Sequence, residues 1–181
     1  MISVPTVPKA LKYGAIDTNE FVMQLSASIS NCLLHQHESL KELIKGLSDE
    51  QIRRQIIPGK WSVFENIVHL QTYQHTIMSR VRLILNDGKP VFTPYTAEAD
   101  PLFHDNCRLQ TVEVIRDLFD TRQAWSSAMV SLPESDLEKE SRHTSYGTMN
   151  LLLWLHFFLL HEAHHLFTIF KLVMELRKER L

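Results

Sequence analysis

Two cysteines, Cys32 and Cys107, are all that this chain of 181 residues contains, and they form no CxxC pair. That leaves no disulfide framework and suits a reducing cytoplasm. Positive charge is not in surplus either: 19 Lys and Arg against 21 Asp and Glu give a formal charge of −2 and a pI near 6.5. A chain so balanced lacks the basic surface that nucleic-acid binding requires. No long run of one sign marks a charged tail. The opening "MISVPTVPKALKYGA" lacks an apolar core of signal-peptide length. The most apolar stretch, "LLLWLHFFLL", runs into His161, Glu162, His164 and His165 before it reaches membrane-spanning length. These absences predict a cytoplasmic protein that meets neither membrane nor nucleic acid. The length suits one domain over residues 1–181, large enough for a substantial core, with 1–16 as an extended N-terminal arm. Glycine is also scarce, at five, while histidine reaches ten. Histidine is the composition's one hint of chemistry.

Four long segments carry helical periodicity. The first runs from about Asp17 to Lys45, with Asp17, Thr18 or Asn19 as candidate caps. The second opens at "SVFE", where Ser62 and Glu65 spell a capping box, and continues to about Asn86, where "NDGKP" stops it. The third spans about Gln110 to Ser131 and ends before Pro133. The fourth starts near Thr148 and continues almost to the end of the sequence. No stretch alternates apolar and polar residues long enough to predict a strand, and the two prolines of "KPVFTPYT" make it an extended loop. The fold expected is all-α, an antiparallel four-helix bundle. The connection from Asp87 to Leu109 is long for a bundle and reads as a functional rim or a crossover. A faint echo links "GLSDEQI" followed by Trp61 with "SLPESDL" followed by Tyr146: in each half a short polar turn-helix precedes a long helix.

"LLHEAHHLF", Leu159 to Phe167, places His161 and His165 four residues apart on one line of the fourth helix, a spacing that lets two imidazoles converge on one cation. His165 falls within the apolar sector shared with Trp154, Phe158, Ile169 and Leu172, whereas His164 lies with Lys171, Glu175 and Lys178 on the solvated side. A lone histidine on an apolar face is usually a satisfied core residue, and a pair at ligand spacing brings metal ligation level with that reading. His-Glu-x-x-His also spells the zinc helix of a metalloprotease. That reading requires a third ligand further on, and only sixteen residues, all on the same helix, follow His165; Thr168 and Lys171 stand where the extended motif needs glycine and histidine. The protease reading fails. A third ligand must come from another helix, and His69 in "ENIVHLQTY" sits at the border of the second helix's apolar sector. His75 projects away from that sector, His35 and His37 cannot both face inward, and His104, His143 and His156 have no partner by spacing. Trp61, Trp125 and Trp154 read as core aromatics, with Trp154 also placed to wall a cavity beside His161. Arg80 reads as a surface or inter-helix charge.

"PGKWSVFENIVHL", Pro58 to Leu70, followed far downstream by "HEAHH", resembles the DinB/YfiT-like family of four-helix-bundle metal proteins, and the resemblance covers nearly the whole chain. Its specific parts are the Pro-Gly-Lys-Trp-Ser lead-in, a histidine eight residues after the tryptophan, and the pair spaced by four. The resemblance implies a metal triad of His69, His161 and His165 holding a divalent cation, zinc or nickel, with positions open to water or substrate. It further implies a metal-dependent enzyme acting on a small molecule, as an S-transferase using a low-molecular-weight thiol such as bacillithiol or mycothiol, or as a hydrolase. A homodimer is also implied. A non-catalytic, stress-associated metal protein is the alternative. Glu162 is left between orienting a ligand and an ordinary salt bridge to a neighbouring helix.

Overall fold

The computed structural model describes residues 25–86 and 88–178. The expected N-terminal arm and the first part of helix one, with its candidate caps, lie outside the described residues.

Among the described residues eight α-helices follow one another: α1 (Ala27–His35), α2 (Ser39–Ile44), α3 (Asp49–Arg53), α4 (Val63–Leu85), α5 (Pro101–Asn106), α6 (Thr111–Val130), α7 (Glu134–Leu137) and α8 (Leu151–Lys178). The first long segment is therefore broken. Ser26 caps α1, and a 3₁₀ turn over Gln36–Glu38 separates it from α2. The short tightened turn keeps one inner side, with Leu33, Leu40 and, between them, the imidazole of His37 all buried, which is why the sequence reads as one helix. Ser62 caps α4 in the expected box, accepting from Glu65 N–H while the Glu65 carboxylate accepts from Ser62 N–H. The short turn-helices of the echo are α3 and α7.

The α1/α2 arm, α4, α6 and α8 make a four-helix bundle in which α4 packs on both α6 and α8, and the arm closes the far side, α1 on α6 and α2 on α8. Along α4 and α8 the contacts run in opposite senses, from Asn66 with His165 to Tyr73 with His161, so these two helices are antiparallel. Along α4 and α6 they run in the same sense, from Gln71 with Asp117 to Gln74 with the Leu118 carbonyl. Two parallel helices in succession need a chain that returns the length of the bundle. The long connection after α4 makes that return as a crossover.

The structure departs from the expectation of no strands. β1 (Val91–Phe92), β2 (Glu140–His143) and β3 (Gly147–Asn150) form a three-stranded sheet in that order. β1 pairs parallel to β2, with Val91 opposite Arg142 and Phe92 opposite His143, and β2 pairs antiparallel to β3. Strands of two to four residues are too short to show a period of two. The sheet closes one end of the bundle, where Trp154 is wholly buried and donates from Nε1 to Ser141 Oγ at 2.7 Å. Among the described residues no helix is long and apolar enough to cross a membrane.

Candidate metal centre

Three imidazoles meet between α4 and α8. One ring nitrogen from each of His69, His161 and His165 lies within 4.8 Å of the other two, and the Nε2 atoms of His69 and His161 are 3.0 Å apart. Two imidazoles on a tetrahedral zinc ion at Zn–N distances near 2.05 Å stand about 3.3 Å apart, so the observed pair is close to a ligand edge. His165 is oriented from outside: its Nδ1 faces Asn66 Oδ1 at 3.0 Å, and Asn66 Nδ2 donates to the Ser62 carbonyl at 2.8 Å. That second bond fixes the amide, so Oδ1 must accept from His165 Nδ1–H, leaving the Nε2 lone pair to point elsewhere.

The rings are prepared to be neutral. Burial, followed by the neighbouring imidazoles, lowers His69, His161 and His165 from 6.5 to about 3. Neutral imidazole is the form that ligates a cation. The Nδ1 atoms of His69 and His161 are buried without a hydrogen-bond partner among the described residues. Unpaired buried polar groups cost about 1–3 kcal/mol each, and a cation held at the Nε2 edge would leave that cost in place, so it must be offset by the binding itself. The donor set fits a borderline divalent ion.

Local sequence explains the walls. Ile57-Pro58-Gly59-Lys60 is a turn closed by Lys60 N–H donating to the Ile57 carbonyl at 3.0 Å, with Gly59 at a φ of +72°. Proline then glycine at the two central positions is the pattern of a type II turn. It delivers Trp61 against the triad, with ring centroids 5.0 Å from His69 and 6.1 Å from His165. On the opposite side Tyr73 packs on His161 at 3.9 Å. Two cavities flank the triad. One of 490 Å³ is lined by Trp61, Asn66, His164, His165, Thr168 and Lys171, and one of 200 Å³ touches His161, Tyr73, Arg80, Tyr95, His143 and Tyr146. Trp61 and Tyr146, the aromatics of the sequence echo, thus stand on opposite sides of the centre.

His164 is exposed, as its helix position predicts; of His35 and His37, which cannot both face inward, His37 is buried against Phe119 and His35 is exposed. His75 pairs at the surface with Asp117 at 3.0 Å. Trp154 is core and lines neither cavity, so Trp61 takes the walling role. Arg80, expected at the surface or between helices, is only 9% exposed and faces a cavity. His143, expected to lack a partner, is buried beside Tyr146 and accepts at Nδ1 from Ser145 N–H. Neither residue shows a spacing signal, because the long connection and the β2–β3 hairpin bring their surroundings together.

Glu162, the glutamate of the protease-like spelling, is turned away from the triad. Its carboxylate accepts from Arg122 at 2.7 and 3.0 Å and from Gln36 at 2.8 Å. It is a buried brace, with no free oxygen for a general base.

The DinB superfamily model matches residues 33–169. A protein of Oceanobacillus iheyensis that carries the provisional name metal-dependent hydrolase is 25% identical over 153 residues, 81% of this chain and 87% of that one. One from Bacillus cereus strain G9842, provisionally named in the same words, is 26% identical over 129 residues, 71% and 73% of the two chains. The solved structure of YfiT from Bacillus subtilis, described as a probable metal-dependent hydrolase with an unusual four-helix bundle topology, superposes with a TM-score of 0.72 at 19% identity, covering 82% of this chain and 86% of that one.

Proposed function

The chain belongs to the DinB superfamily, and we propose that it is a divalent-metal-dependent enzyme acting on a small molecule, with His69, His161 and His165 as the metal ligands. The observation that carries this reading is the convergence of three imidazoles, His69 buried and His161 and His165 half-buried, at a point reached by two cavities. Zinc or nickel suits an all-imidazole donor set. Such a cation, held by uncharged ligands, supplies a Lewis acid that polarises a carbonyl or acidifies a water or thiol near neutral pH. The protein's own part is to hold the three rings neutral, to fix His165 through Asn66, and to shield the centre with Trp61 and Tyr73. A cation that served only to staple two helices would need neither cavity.

Hydrolysis is the first reaction to test, in keeping with the names given to the relatives. Transfer from a low-molecular-weight thiol such as bacillithiol or mycothiol is the second reading, favoured by the second cavity, since a hydrolase needs room for one organic substrate and a transferase for two. A homodimer belongs to the same proposal: Leu153, Leu160, Phe167 and Met174, 39–71% exposed, recur every seven residues along the outer side of α8. Sedimentation or light scattering tests it.

Metal content of the purified protein tests the central claim. Wild type and His164→Ala should carry stoichiometric divalent metal, and His69→Ala, His161→Ala and His165→Ala should not. Wild type without affinity for any divalent cation, or equal loss in His164→Ala, would refute the triad.

A further inference from the structure

Arg80 is a buried cation that meets no acid among the described residues. Its Nη2 donates to the Thr93 carbonyl at 2.7 Å, and its guanidinium lies 5.2 Å from the Phe92 ring and 5.6 Å from Trp154. No carboxylate among the described residues pairs with it; the one ionisable group that acts on it favourably is the phenol of Tyr73. A desolvated charge with no counter-ion is costly, and this one lines the 200 Å³ cavity that reaches His161. The cavity contains no acidic residue. Its other walls are mainly rings, Tyr73, Pro94, Tyr95, Tyr146 and Phe157, with His143 and Ser145 as further polar groups and His161 at the triad end.

We propose that this cavity is the substrate's recognition pocket and takes a small monocarboxylic acid with a flat, apolar body, its carboxylate on Arg80 and its far end at the histidine triad. The role as a substrate pocket rests on the function proposed above. A planar guanidinium with donors to spare matches one carboxylate bidentately. Aromatic walls select a body with little polarity of its own. Trp154, beside Arg80, precedes His161 by seven residues on α8, so the two ends of the pocket are about 10 Å apart along the helix. The ligand is therefore elongated, with its reacting group remote from its charge.

The experiment is calorimetric titration with 4-phenylbutyrate and its neutral counterpart 4-phenylbutanamide, on the full chain as purified and after removal of metal with a chelator. The acid should bind wild type about tenfold or more tightly than the amide, the contribution of a charge-assisted hydrogen bond. The preference should survive metal removal. Arg80→Gln, checked for folding by circular dichroism, should bind both compounds alike, and Arg80→Lys should keep a reduced preference. Equal binding of acid and amide by wild type would overturn the proposal. So would a preference lost on metal removal but kept in Arg80→Gln, because the carboxylate would then sit on the metal. Metal content read on the same samples separates the two claims. A metal-loaded protein without acid preference defeats the pocket alone, and a protein that never takes up metal yet discriminates through Arg80 defeats the metal reading alone.

Discussion

Arg122 and Glu162 face each other at the centre of the bundle, Nη1 to Oε1 at 2.7 Å, with both side chains almost completely withdrawn from solvent. Arg122 Nε also donates to the Leu33 carbonyl at 2.9 Å, which Ser126 Oγ meets at 2.6 Å. One ion pair thus ties α6 to α8 across the bundle and secures the end of α1. Burial pushes the Glu162 carboxyl up and the Arg122 guanidinium down, and their pairing opposes both shifts. Removing one partner leaves the other charged and buried, at a cost of about 3–5 kcal/mol. Glu162→Ala should therefore lower the urea midpoint sharply while the folded fraction keeps its metal. Joint replacement, Arg122→Met with Glu162→Leu, should recover much of the loss. A Glu162→Ala variant with wild-type stability would contradict the brace.

Asn66 offers a finer test of the centre than the ligands themselves. It touches His165 and aligns it, and Asn66→Leu removes the acceptor while leaving three imidazoles in place. Loss of such an outer partner lowers metal affinity by about 10–100-fold. Competition against a chromophoric chelator should show that drop. Unchanged affinity would mean that packing against Trp61 alone orients the ring.

Stability should fall in mild acid, and its direction follows from four histidines. Burial holds His37 down at about 4 and the triad at about 3, whereas in the unfolded chain all titrate near 6.5. Below pH 6.5 the unfolded chain binds protons that the folded chain refuses. Stability is thus fully present above that pH and is lost as pH falls towards 4 and then 3. Each group contributes up to about 1.4 kcal/mol per pH unit within its window. Urea midpoints of the metal-free protein at pH 7.5, 6 and 5 should decline in that order; a flat series would show that these rings protonate freely in the fold.

Gly59→Ala should destabilise by about 1–2 kcal/mol, the cost of a side chain in the left-handed region. An added Cβ would meet nothing within 4 Å, so the cost is backbone strain alone and Gly59→Asn should lose less. Because the turn carries Trp61, its fluorescence is the companion readout. Equal midpoints for Gly59→Ala and wild type would remove the turn's claim on glycine.

The features legible in the sequence are those that repeat within one helix. The apolar faces of α4, α6 and α8, the Ser62 capping box, and the inward placement of His161 and His165 with His164 outward all follow from a turn of about 100° per residue. Contacts made between distant segments follow no such rule. Nothing in the spacing of Arg122 and Glu162, forty residues apart, marks them as partners. Arg80 reads as a surface or inter-helix charge because the residues that bury it, Phe92 and Trp154, arrive from β1 and α8. The break at Gln36 is invisible because the 3₁₀ turn preserves the inner face, and strands of two to four residues are shorter than any period they could display.

The β2–β3 hairpin separates two kinds of inheritance. The imidazoles are borne by helices whose inner faces are locked into the core, where most substitutions are penalised. Ser145 and Tyr146, which complete the smaller cavity, sit on an exposed turn, with Tyr146 63% accessible. For the recognition pocket proposed above, mutations there would change what the cavity admits while the frame beneath it stays intact. After duplication of such a gene, two copies could diverge in the molecules they select and still share one centre.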